Sequence, residues 1–128
     1  TSRTWTFSRI PISHNTSLRM HWARRSKDSK VWQMLALAVC GRLTNDDKED
    51  QRGWHSTLRF TVYRSRLQDP DNAVASLKPI IDAIRRLGWL TDDSEKYLTL
   101  VSRQEKCSRQ EERTEVTWLI EAEDELRA

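Results

Sequence analysis

Hydrophobic and polar positions recur with clear periods along much of this chain, and those periods predict its elements. Trp5 and Phe7 alternate with Thr6 and Ser8, so Thr4 to Ile10 reads as a strand that Pro11 stops. Ile12 to about Lys27 lacks any such period and reads as a polar, basic connection. Ser29 can cap a helix from Lys30 to about Cys40, with Val31, Met34, Leu35, Ala38 and Val39 as its apolar stripe and Gly41 just past its end. Leu43 to Ser56 is charged and reads as a solvated loop. Thr57 to Arg64 alternates cleanly, with Leu58, Phe60 and Val62 against Arg59, Thr61 and Tyr63, which predicts a strand with one wet face.

After Asp69-Pro70-Asp71-Asn72 comes a helical pattern to Leu87, ended by Gly88, with Val74, Leu77, Ile81 and Ile84 as the buried stripe. Pro79 breaks this pattern, because an interior proline removes a backbone donor and clashes with the carbonyl four residues earlier. Two outcomes are open: a helix kinked near Ala75, or a separate first turn with the main helix starting near Pro79. Lys96 to Gln104 and Thr114 to Ala122 read as two more strands, joined at Cys107 to Glu112 most simply by a hairpin loop. The order β-α-β-α-β-β predicts an α+β fold of two layers, a mostly antiparallel or mixed sheet with helices on one face. With no internal repeat or low-complexity linker, residues 1–128 read as one domain.

Composition narrows the class. Charged residues make up 32% and apolar residues 37%, and six Trp in 128 residues argue for a packed core rather than disorder. No apolar run approaches the ~18 residues a membrane span needs, and no segment reads as a signal peptide. Cys40 and Cys107 form neither a disulfide framework nor a CxxC knuckle, so a reducing cytoplasm is expected. The net charge of +3 is unevenly spread. Seven basic residues face one acid before residue 31, whereas seven acids face two arginines from Glu111 onward. That asymmetry suits a protein with one face for a polyanion, although solvation of the surface explains it equally well.

The chemistry concentrates in two turns. Asp69 and Asp71 follow a predicted strand; Asp92 and Asp93 follow the helix that strand feeds. Carboxylates that converge repel one another, so a cluster of them normally holds a divalent cation, and an oxygen-only set without His or Cys suits Mg²⁺ or Mn²⁺. On a helix continuous from Asn72, Asp71, Lys78 and Asp82 would fall within about 20° of one line. A lysine there can offset the charge that builds up on a phosphoryl group under attack. The same residues have plain readings too: Asp69 or Asp71 as a helix N-cap, Asp92-Asp93-Ser94 as a turn, and Lys78 with Asp82 as a surface pair. Trp22, set among arginines, is the one tryptophan whose place in a core is open.

These motifs resemble the RusA family of Holliday junction resolvases. The resemblance runs over most of the chain: Pro11-Ile12-Ser13-His14-Asn15, then Asp69-x-Asp71-Asn72, Lys78-x-x-x-Asp82 and Gly88-Trp89-Leu90-x-Asp92-Asp93. It implies a small RusA-like homodimer that nicks two strands of a four-way DNA junction, with Mg²⁺, or Mn²⁺ in its place, and no small-molecule cofactor. By position, Asp69, Asp71 and Asp93 match the family's metal-binding aspartates and Lys78 its catalytic lysine, while Asn72, Asp82 and Asp92 match supporting positions. The lysine departs from the family's pattern, since three residues after Asn72 stands Ala75 and Lys78 follows one helical turn later. Asn15, Arg19, Arg24, Arg25, Lys27, Arg64 and Arg66 are expected to contact DNA, the arginines and lysine through phosphates. The competing readings are a non-catalytic binder of branched DNA and a Mg²⁺-dependent nuclease acting on flaps.

Overall fold

A computed structural model describes residues 2–43 and 55–120. Strand β1 is Ser2–Phe7, helix α1 His14–Arg19, helix α2 Trp22–Cys40, and strand β2 Ser56–Arg64. Helices α3 (Pro70–Ala75) and α4 (Lys78–Arg86) follow, then strand β3 (Leu98–Lys106), a 3₁₀ turn over Arg109–Glu111, and strand β4 (Arg113–Ile120). The fold is α+β, with a four-stranded mixed sheet in the order β1-β4-β2-β3. Most of the expected charged loop between Leu43 and Ser56 lies outside the described residues.

Strand periodicity carried through to burial. Leu58, Phe60 and Val62 are buried from β2, and Val116, Trp118 and Ile120 from β4. Trp118 is fully buried, with ring centroids 5.0 Å from Trp89 and 6.3 Å from Trp5, and its Nε1 donates to the Trp89 carbonyl at 2.9 Å. Trp89 Nε1 in turn donates to the Gly41 carbonyl at 2.7 Å. This chain of aromatics fastens the Gly88–Leu90 segment, and with it the turn that carries Asp92 and Asp93, to the sheet and to the end of α2. Gly41 takes φ +70°, a left-handed conformation that only glycine adopts without cost, and so closes α2 as expected.

Four expectations are corrected. The stretch from Ile12 to Lys27 is not an irregular connection: it holds α1 and the first turns of α2, which starts at Trp22, with His21 Nδ1 accepting from the Ala23 amide. The buried side of α2 is Trp32 and Ala36, while Met34 is 72% exposed and Val39 also faces out. Positions 32 and 34 lie about 200° apart around a helix, so one must face solvent. The larger indole packs inward, edge-on to Phe7 at 5.7 Å. The segment from Cys107 to Glu112 is not a hairpin loop, because β3 pairs parallel with β2, whereas β4 pairs antiparallel with β2 and β1. Two strands on opposite sides of β2 cannot share a ladder, and the α3–α4 pair supplies the crossover that parallel neighbours need.

The fourth correction bears on the site. The helical pattern after Asp69 is broken at Ser76 and Leu77, with Pro79 in the first turn of α4, where its missing N–H costs nothing. The second of the two outcomes left open by Pro79 is the observed one. Val74 therefore leaves the buried stripe and is 42% exposed, while Leu77, Ile81 and Ile84 stay in it. Asp71 sits on α3 and Lys78 and Asp82 on α4, so the three are not aligned along one continuous helix.

Candidate functional site

Starting α4 at Lys78 gives that side chain its surroundings. Its Nζ lies 2.9 Å from Asp93 Oδ2 and 3.3 Å from Asp82 Oδ1, one helical turn on. The lysine is largely exposed and the two acids about a third exposed. Asp82 Oδ1 is buried and lacks a hydrogen bond in good geometry, and its 3.3 Å approach to the ammonium is an ion contact only. Asp92 Oδ1 accepts from the Asp93 amide at 2.9 Å, which shapes the turn that aims Asp93 at Lys78.

The charges answer to this geometry. Asp93 titrates below the usual carboxylate range, chiefly through its hydrogen bond from Lys78, and Lys78 titrates above the usual lysine range, chiefly through the same bond. A depressed acid contributes stability above its unfolded pKa of about 4 and loses it as pH falls through its folded value. A raised lysine contributes below about 10.4 and loses it as pH rises through its folded value. The pair is therefore intact from about pH 4 to about pH 10. Lys78→Ala is expected to move the Asp93 carboxyl midpoint up to ordinary values in a ¹³C NMR titration; an unmoved midpoint would assign the shift to another cause.

The other acids lie on the turn after β2. Asp69 holds the N-cap position of α3 but makes no side-chain cap bond, and Asp71, in the first turn, has no partner among the described residues. The plain reading of Asp69 as a capping side chain therefore does not account for it. Asn72 Oδ1 accepts from the Asn15 amide at 3.1 Å, across 57 residues of chain, so the Pro11–Asn15 and Asp69–Asn72 motifs touch. Two cavities divide the set: Lys78 and Asp93 line one, with Glu95 and Leu98, while Asp69 and Asn72 line the other, with Ser13, Arg64 and Arg66. Among the described residues, no three His, Cys, Asp or Glu side chains stand close enough together to hold a metal ion. The donor chemistry nevertheless suits a hard cation, since Asp69 and Asp71 are carboxylates without a side-chain partner among the described residues and Asp93 is held ionised.

No family model matches this chain, and no curated protein matches it. The site is thus known by its own geometry.

Of the residues expected to meet DNA, Arg24, Arg25 and Lys27 are exposed on the first turns of α2, Arg19 ends α1, and Arg66 is exposed after β2. Trp22 is 69% exposed beside the His21 ring, outside the core. Arg64 differs from its expected surface role: it is 3% exposed, because it continues the inward face of Leu58, Phe60 and Val62. Burial lowers its pKa, with the nearby Glu112 carboxylate opposing the shift. Glu112 is itself held ionised by accepting from the Ser65 amide and hydroxyl, both at 2.9 Å.

Proposed function

We propose that this protein is a Mg²⁺-dependent endodeoxyribonuclease acting on four-way DNA junctions as a homodimer. The observation that carries the reading is Lys78 held against Asp93, a carboxylate fifteen residues away, while Asp69, on the turn after β2, makes no side-chain cap bond. Such a lysine is chemically useful next to a phosphodiester. It stays protonated across the physiological range, and it can release Asp93 to offer its N–H groups to a phosphoryl oxygen gathering negative charge. A divalent cation held by Asp69, Asp71 and Asp93 would supply a water of lowered pKa and further charge neutralisation. Asn72, through the Asn15 amide, ties α1 to the acidic turn and so places the basic start of α2 relative to the acids. Exposed Arg24, Arg25 and Lys27 would take backbone phosphates, which favours recognition of shape over sequence. A twofold pair of such sites suits the pseudo-symmetry of a junction.

The deciding experiment incubates a labelled four-way junction, a flap and a linear duplex with the protein and Mg²⁺. Paired nicks in the junction alone are the expected result. Junction binding without nicks, in Mn²⁺ as well, would replace the reading by a non-catalytic binder of branched DNA, and cleavage of flaps alone would replace it by a flap nuclease. Combining Arg24→Ala with Arg25→Ala is expected to weaken junction binding and to flatten its log–log salt dependence by about 2. An unchanged slope in filter-binding or anisotropy titrations would remove α2 from the DNA interface.

A further inference from the structure

Helices α2 and α4 pack against each other and leave a groove of about 600 Å³ between them. Lys30, Met34 and Leu37 line it from one face of α2, and Arg86 and Leu87 line it from the end of α4. Arg42 lines the end of the groove just beyond α2. The backbone fixes its place. The Gly41 carbonyl before it accepts from Trp89 Nε1 at 2.7 Å, and the Leu43 amide after it donates to the Leu87 carbonyl at 3.0 Å.

Two properties of this groove occur together. Met34 is 72% and Leu37 46% exposed, so α2 shows water two large apolar side chains one turn apart. Every charged residue along the groove is a cation, and none of Lys30, Arg42 and Arg86 has an ion pair among the described residues. Arg42 and Arg86 stand at helix C-termini, where a cation is favoured in any case, but Lys30 has no such reason. It precedes the end of α2 by ten residues, about 15 Å along the axis, so cations flank the apolar floor at both ends. Five residues of extended peptide span about 17 Å, nearly the same length.

We infer that the groove is a docking site for an acidic peptide segment of a partner protein. One large apolar side chain of that segment covers Met34 and Leu37, and its carboxylates meet the cations at either end. The apolar floor separates this occupant from the others. DNA phosphates answer the cations but leave Met34 and Leu37 uncovered, and a twofold copy of this chain sets the same cations against themselves. None of these residues belongs to the acidic turns or to the first turns of α2, so the assignment stands apart from the nuclease reading.

The probe is a synthetic peptide of two aspartates, glycine, phenylalanine, glycine and two aspartates. It is added to the full chain labelled with ¹³C in its methionine methyl groups. Met34 reports on the groove, and Met20, at the end of α1, serves as the internal reference. The peptide is expected to shift the Met34 signal saturably and to leave Met20 in place. Replacing its phenylalanine by serine, or its aspartates by asparagines, is expected to weaken binding at least about 10-fold. In the protein, Met34→Gln exchanges one exposed helix former for another, so the fold is kept. A loss of similar size is expected for it in anisotropy titrations of the labelled peptide. An unmoved Met34 signal, or affinity indifferent to any of these replacements, would overturn the proposal. So would a short DNA duplex that shifts Met34 as strongly as the peptide, which would make the groove a nucleic-acid surface. A Met34 signal that moves with protein concentration alone would overturn it too, in favour of a second copy.

Discussion

Asp71→Asn is expected to slow junction nicking by at least about 100-fold while leaving junction binding equal or tighter. The substitution keeps the shape of a side chain that is exposed in the first turn of α3 and has no partner among the described residues, so the fold loses almost nothing. The change removes one negative charge and one hard oxygen donor. Loss of the donor weakens the hold on a cation, and loss of the charge relieves repulsion with the phosphate backbone. Binding and catalysis should therefore move in opposite directions, which a misfolded variant cannot imitate. Nicking and binding that fall together would show that Asp71 serves the interface or the fold instead. Normal nicking would remove it from the site.

Trp118→Ala is expected to have the largest effect on stability. The indole is fully buried between Trp5 and Trp89, and its Nε1 satisfies the Trp89 carbonyl. Truncation of a buried aromatic to alanine costs about 3–5 kcal/mol, and an orphaned buried carbonyl about 1–3 kcal/mol more. Against a total stability of about 5–15 kcal/mol for a domain, that loss would leave the chain partly or wholly unfolded at 25 °C. Trp118→Phe keeps most of the volume and should lose far less. Urea unfolding of the three proteins checks this, and a midpoint for Trp118→Ala close to that of the unsubstituted protein would contradict the packing described. The effect reaches the site, because the same tryptophans anchor the segment leading to Asp92 and Asp93.

What could be read in the sequence was whatever alternation or helical spacing encodes directly. Strands β2 and β4 and the buried face of α4 carry strong periods and were legible. Arg64 was legible too, since the alternation through Leu58, Phe60 and Val62 runs one step further and turns it inward, yet its charge argued for the surface. The first turns of α2 were not legible, because Trp22 to Lys27 are exposed on every side and so leave no apolar stripe. Pairing partners were hidden as well. A strand's pattern gives its faces but not its neighbour, and β3, an edge strand with Leu100 and Val101 partly exposed, looks locally like one arm of a hairpin. At the site, the i,i+4 pair of Lys78 with Asp82 was visible in the spacing. Its link to Asp93 depends on how the Gly88–Leu90 segment is fastened by tryptophans far along the chain, which no local pattern carries.

Mn²⁺ titrated into the protein, with the carboxyl ¹³C signals observed, asks whether the two acidic turns serve one ion. Paramagnetic broadening falls off steeply with distance, so Asp69, Asp71 and Asp93 should broaden together at the lowest Mn²⁺ additions and recover when Mg²⁺ competes. Broadening confined to one of the two turns, or spread evenly over the surface acids, would contradict a shared cation.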